Sequence, residues 1–95
     1  MKIEVHSKTA CPFCVLAKKY LNEHAVTFDE VVYDDDDARA EMYERFELVG
    51  NQRTVPQIFV VENDGTRQRV GGYTDLIQSD VVARASIGFQ ADVEF

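Results

Sequence analysis

The stretch Lys2-Ile3-Glu4-Val5-His6-Ser7-Lys8-Thr9-Ala10-Cys11-Pro12-Phe13-Cys14 decides the fold. Its first part, Lys2–His6, alternates: Ile3 and Val5 point one way, Glu4 and His6 the other, the period-2 pattern of a strand. Thr9 to Cys14 reads as a turn into a helix, because proline is tolerated in a first helical turn, where its missing N–H has no partner to lose. From Phe13 onward Leu16, Ala17, Tyr20 and Leu21 recur at helical spacing to about His24. A strand therefore feeds a helix, with two cysteines at the junction.

Working outward, Thr27–Tyr33 is rich in β-branched and aromatic residues and reads as a second strand. Asp34–Asp37 is the densest charge run. It could serve a metal or a basic partner, but acids ahead of a helix also cap it and favour its positive end, and that reading is preferred. Ala38, Met42, Phe46 and Val49 then repeat at helical period, with Glu41, Glu44 and Arg45 outside and Gly50 expected as the stop. Gln57–Val61 is the most apolar strand, Glu62-Asn63-Asp64-Gly65 is a hairpin turn, and Thr66–Val70 returns as a charged, more exposed strand. Gly71-Gly72 breaks it. Thr74-Asp75 can cap a last helix through Leu76, Ile77, Val81 and Val82, with Gly88 as its end.

The order β-α-β-α-β-β-α predicts an α/β fold. Its first two strands lie parallel in a right-handed unit, its last two pair as a hairpin, and helices cover both faces of a four-stranded mixed sheet. Residues 1–87 are expected to form the domain and 88–95 a C-terminal tail.

With 95 residues the chain is one domain, and 45% hydrophobic with 28% charged residues is an ordinary globular balance. Ten basic against seventeen acidic residues give a net charge of -7, which argues against counterion-displacing nucleic-acid binding and against anionic membrane surfaces. The charge is uneven, however. Acids gather in Asp34–Asp37 and the helix after it, while Lys8, Lys18, Lys19 and Arg53 belong near the cysteine end and predict a locally basic rim. No stretch approaches the ~20 apolar residues of a transmembrane helix. Met1–Val5 carries an acid and a base where a signal peptide would be apolar, so a reducing cytoplasm is the expected compartment.

Both cysteines sit within Cys11-Pro12-Phe13-Cys14. A bridge across two residues closes almost no loop and so constrains little, which points to chemistry rather than stability. A zinc site lacks a second cysteine pair, and His6 and His24 lack ligand spacing. Two inert buried thiols would not explain a proline between them at a helix start. Thiol–disulfide exchange needs a thiolate. Cys11, just ahead of the helix, faces unpaired N–H groups and the positive end of the dipole, and Lys8 upstream adds positive field; both favour the charged form. Cys14, one turn later, is expected to be more buried. Cys11 is thus the attacking sulfur and Cys14 the resolving one, with no metal expected.

Thr54-Val55-Pro56 leaves two readings open from spacing alone. Pro56 can simply begin the apolar strand, where its absent donor is tolerated. Alternatively a cis bond would turn the Val55 backbone outward as a strand-like edge for an extended peptide.

Three blocks together resemble the dithiol glutaredoxins: Ser7-Lys8-Thr9-Ala10-Cys11-Pro12-Phe13-Cys14, then Gln52-Arg53-Thr54-Val55-Pro56-Gln57-Ile58-Phe59, then Gly71-Gly72-Tyr73-Thr74-Asp75-Leu76. They stand in the family's order and the resemblance covers roughly residues 1–87. It implies a thioredoxin-like fold and a glutathione-dependent thiol–disulfide oxidoreductase, with glutathione as reducing co-substrate and no tightly bound cofactor. Lys8, Gln52 and Arg53 match positions that face the glycyl carboxylate, and Phe13 flanks the tripeptide. Val55, between Thr54 and a cis Pro56, pairs its backbone with the cysteinyl moiety. Thr74 and Asp75, after Gly72, match the positions that hold the γ-glutamyl end, and the same two residues also suit plain helix capping.

Departures accompany the match. Phe13 stands where tyrosine is commoner, removing a phenolic hydroxyl near the thiolate. Tyr73 stands where many members carry a smaller residue or a cysteine. The pair is not the Cys-Gly-Phe-Ser of monothiol members, which argues against iron–sulfur transfer. The expected partners are disulfide-containing or glutathionylated proteins, with ribonucleotide reductase a candidate, and the expected state is a monomer. Two rival readings are a thioredoxin-like electron donor reset by a flavoprotein reductase and a glutathione-ligated iron–sulfur cluster module.

Overall fold

Alternation in the first strand sorts the sheet into two differently covered faces. In the computed structural model, which describes residues 1–84, β1 (Lys2–Ser7) lies between β2 (Phe28–Val32), parallel to it, and β3 (Gln57–Val61), antiparallel to it. β4 (Arg67–Gly71) pairs antiparallel with β3, giving the order β2-β1-β3-β4. α1 (Pro12–Glu23) joins β1 to β2, α2 (Asp36–Arg45) precedes a 3₁₀ turn at Gly50–Gln52, and α3 (Tyr73–Gln78) comes after β4. The mixed four-stranded sheet and the element order are those expected.

Register explains the core. Val5 faces Ile58 across the ladder and Ile3 faces Val60. These four side chains meet Ala17 and Leu21 of α1, Leu76 of α3, and Val26, Val81 and Val82 in one buried cluster. Burying each valine, leucine or isoleucine among them contributes about 1.5–3 kcal/mol. On the opposite face His6 and Phe59 carry the ring of Phe46, with centroids 5.1 and 4.4 Å away, and Met42 is the fully buried residue of α2.

α1 and α2 end by the same device. After α1, Ala25 adopts φ 56°, its N–H reaches Asn22 O, and Val26 N–H reaches Leu21 O. After α2, Glu47 adopts φ 58°, its N–H reaches Glu44 O, and Leu48 N–H reaches Tyr43 O. These are Schellman caps, with an L-residue where glycine is usual, and in each the next residue is buried: Val26 at 7% and Leu48 at 3% exposure.

Two expectations are corrected here. The second helix stops at Arg45 instead of running to Gly50, because burying Leu48 requires the chain to turn back; Val49, read as a core position, is 67% exposed. The last helix is interrupted at Ser79 and Asp80, where the Ser79 hydroxyl donates to Leu76 O and accepts from Val81 N–H, and helix resumes at 81–84. The expected stop at Gly88, the tail 88–95 and the boundary at 87 lie outside the described residues.

The hairpin forms where expected. Gly65 takes φ 89°, its N–H reaches Glu62 O, and Asp64 accepts from Thr66 N–H. In β4 one extra residue, Val70, falls between the pairs Phe59–Arg69 and Ile58–Gly71, a bulge that re-aims the chain entering α3.

Candidate active site

The turn between β1 and α1 is held from below. Asp34, first of the acid run, accepts from both the backbone N–H and the hydroxyl of Thr9 at 2.7 Å. The backbone bond first, then the hydroxyl, hold its carboxyl below the usual range. Asp35 caps α2 by accepting from Ala38 N–H, and Asp36 pairs with Arg39. Capping therefore accounts for Asp35 and the acids after it, whereas Asp34 serves the cysteine turn.

Cys11 is the N-cap of α1, and Pro12 occupies the first helical position. Its sulfur accepts the Cys14 backbone N–H at 3.2 Å, an amide at the positive end of a twelve-residue helix. A thiolate at Cys11 would be stabilised by that same donor. The two cysteines are joined as a disulfide with Cα atoms 5.2 Å apart, so this is the oxidised state of the pair. Cys14 is 1% exposed and Cys11 6%, the expected ordering. Cys11 Sγ lies 3.8 Å from Val55 O, and the Val55–Pro56 bond is cis. Of the two readings open for Pro56, the cis one holds.

Beside the pair runs a groove of about 340 Å³. Phe13 and Tyr73 stand together at it, ring centroids 6.4 Å apart, and Phe13 is 57% exposed. Gln52, Thr54, Val55 and Pro56 line it from the segment entering β3; Gly72, Thr74 and Asp75 line it from the start of α3. Most substrate-binding candidates are thus brought together. Lys8 and Arg53 do not line the groove; Asn51 and Arg69, absent from the sequence reading, do. The Arg53 Nε–H is donated to Leu48 O.

Asp75 turns back on its own helix, its Oδ2 accepting Gly72 N–H at 2.9 Å. Gly71 makes room for it: with φ 121°, a Cβ there would fall inside contact distance of the Asp75 carboxylate. The capping reading holds for Asp75, with Gly72 rather than Thr74 as the N-cap, and the second carboxylate oxygen stays available.

The basic rim is smaller than charge counting suggested. Lys18 pairs with Glu30 at 2.7 Å and Lys19 with Glu23 at 3.8 Å. Lys8, Arg53 and Arg69 form no ion pair among the described residues.

A larger recess, about 670 Å³, opens on the sheet face that carries Glu4, His6 and Phe59, and Arg69 lines both it and the groove. Five of its polar side chains satisfy one another. Arg45 donates to the Tyr33 hydroxyl at 3.0 Å, that hydroxyl lies 2.8 Å from His6 Nδ1, His6 Nε2 lies 2.7 Å from Glu4, and Arg67 donates twice to Glu4. Burial pushes the His6 imidazole below its ordinary pKa despite the Glu4 partner. Burial works against the Glu4 carboxylate too, yet the hydrogen bonds from Arg67 and His6 hold it below the usual range.

Comparison with known proteins agrees with this geometry. Residues 3–64 match the family model described as Glutaredoxin. The chain is 37% identical over 79 residues to glutaredoxin 3 of Escherichia coli K12, covering 82% of this chain and 84% of the relative. The crystal structure of wheat glutaredoxin superposes with a TM-score of 0.68 at 29% identity, over 90% of this chain and 82% of that one. A buckwheat glutaredoxin–glutathione complex shares the fold, with a TM-score of 0.64 at 22% identity over 95% of this chain and 76% of that one. A redox-active cysteine pair at a helix start, on this fold and with these relatives, leads to one conclusion: the chain belongs to the glutaredoxin family of thiol–disulfide oxidoreductases.

Proposed function

We propose that the protein reduces protein disulfides and glutathione mixed disulfides with glutathione as the electron source. The observation that carries this reading is the groove directly beside the Cys11–Cys14 pair, which joins the Val55 backbone, Gln52 and Thr54 on one wall to Thr74 and Asp75 on the other. Such a groove suits an extended peptide: Val55 offers strand-like pairing, the Gln52 carboxamide a donor for a carboxylate, and Asp75 an acceptor for an ammonium group. The buckwheat protein of the same fold was solved with glutathione, and the groove's own residues suit the same ligand. Lys8 and Arg53, outside the groove walls, act at longer range on the ligand's negative charge.

Atoms and electrons balance on both substrates. The Cys11 thiolate attacks the glutathione sulfur of a mixed disulfide; the Cys11–glutathione bond forms, the substrate sulfur leaves as a thiolate and takes a proton. A second glutathione thiolate then attacks the adduct, releasing glutathione disulfide and restoring Cys11. With a protein disulfide, Cys11 forms the mixed disulfide and Cys14 attacks Cys11, so the substrate leaves with two reduced thiols and the pair is oxidised. Two glutathione molecules reset it.

In a glutathione-coupled assay, Cys14→Ser should keep deglutathionylation and lose most protein-disulfide reduction, while Cys11→Ser should lose both. Activity in Cys11→Ser would overturn the assignment. Turnover with a flavoprotein reductase in place of glutathione would favour the electron-donor reading, and visible absorbance after anaerobic reconstitution the cluster reading. We further propose a reducing cytoplasm as the working compartment, a monomeric state, and ribonucleotide reductase among the disulfide clients to be tested.

A further inference from the structure

Gln57, directly after Pro56, is completely buried yet polar, and every polar atom of its side chain is occupied. Its Nε2 donates to Gln52 O at 2.7 Å and to Thr54 O at 2.8 Å. Its Oε1 accepts from Arg69 Nε at 3.0 Å. A guanidinium can only donate, so Arg69 requires the carboxamide oxygen on its own side, and that leaves both amide protons facing the two carbonyls. Those carbonyls belong to the segment that supplies Gln52, Thr54 and Val55 to the groove. Gln52 is steered in turn, because its Oε1 accepts Val49 N–H at 3.1 Å and only its amide protons remain for a ligand.

We propose that Arg69 is a positioning residue for the groove, acting through Gln57 to hold the 52–55 wall. The inference rests on the glutathione reading above. Removing Arg69 leaves the buried Gln57 oxygen without a partner, and an unpaired buried acceptor pulls the amide out of place to reach water. The wall then loses its brace while the cysteine pair, seated on α1, keeps its own. The bulge at Val70 sets Arg69 at this position, opposite Phe59 on the exposed edge strand β4.

The test is a double-mutant cycle on the full chain with a glutathionylated peptide as substrate. Arg69→Met should raise KM by roughly five- to tenfold with kcat held within about twofold, since a displaced binding wall loses contacts made alike in the ground and transition states while the reacting sulfurs stay in place. Arg69→Lys, which can still donate to Gln57 Oε1, should recover part of the loss. Arg69→Met combined with Gln57→Met should bind no more weakly than Gln57→Met alone. Multiplying effects would mean that Arg69 acts on the ligand directly, and a wild-type KM in Arg69→Met would mean that it does not act at all; either overturns the proposal. A second readout needs no substrate and no Gln57 variant. By NMR the two Gln57 side-chain amide protons should exchange slowly in the parent and faster in Arg69→Met, and equal exchange overturns the brace. A parent protein without glutathione-dependent turnover would defeat the functional reading instead, and the amide protons would still decide the brace.

Discussion

Replacing Tyr33 by phenylalanine probes the face of the sheet opposite the cysteines, where a chain of hydrogen bonds fixes one protonation state. Arg45 can only donate to the Tyr33 oxygen, so the hydroxyl proton goes to His6 Nδ1; Glu4, an ionised acceptor, requires the other proton on His6 Nε2. His6 is therefore the neutral Nε2–H tautomer, 4% exposed. Tyr33→Phe keeps the ring and its stack on His6, centroids 5.6 Å apart, so no cavity opens. The substitution removes the donor to Nδ1, and a buried acceptor left unpaired costs about 2 kcal/mol, within a usual range of ~1–3. Arg45, exposed at the end of α2, turns to water at little cost. For a domain of this size the loss should lower Tm by roughly 8–16 °C. Urea titration and thermal melts at pH 8 measure it. A Tm within about 2 °C of the parent, with the m-value intact, would refute the assigned tautomer and the network with it. The same histidine predicts the acid limb. Its folded pKa lies below the ordinary value of 6.5, chiefly through burial, so between the two values the unfolded chain holds more protons. Stability should be level above about pH 6.5 and fall as pH drops through the folded value; Glu4, held low by Arg67, adds a further loss at more acid pH. Because burial outweighs hydrogen bonding in that shift, the limb should persist in Tyr33→Phe.

Single positions carry further expected outcomes. Gly71→Ala should weaken glutathione binding as well as stability, because its Cβ displaces the Asp75 carboxylate and its φ of 121° suits only glycine; calorimetric titration of glutathione with Cys14→Ser as background reads the first. Ala25→Gly should stabilise by about 0.5–1 kcal/mol, the ~1–2 kcal/mol left-handed cost of an L-residue at a Schellman position less the ~0.5–1 kcal/mol entropy cost of glycine; an equilibrium urea curve displaced to lower midpoint would contradict this.

The elements whose residues carry their own periodicity were legible in the sequence. β1 reads directly from Ile3 and Val5 against Glu4 and His6, and β3 from the apolar run Ile58–Val61 after Gln57, because burial on a regular strand leaves a regular trace. The cysteine junction was equally legible, since proline at a helix start constrains local geometry by itself. The end of α1 was legible too, at about His24, its C-cap, but the end of α2 was not: Leu48 turns inward through left-handed Glu47, which announces no stop as glycine does. The break at Ser79–Asp80 likewise depends on a serine hydroxyl shared between two turns. Arg69 was invisible for a third reason: its partner Gln57 is twelve residues away, and a bulge in β4 sets their register. Charge alone placed Lys18 and Lys19 on a basic rim, and only the fold reveals the glutamates that neutralise them.

The central claim is that Cys11 is the sulfur that exchanges with glutathione. Cys14→Ser, incubated with a glutathionylated peptide and digested at acid pH, should yield by mass spectrometry one glutathionyl adduct on the peptide containing Cys11, and added glutathione should remove it with release of glutathione disulfide. No adduct on Cys11, together with a stable adduct on Cys14 in Cys11→Ser, would contradict the account.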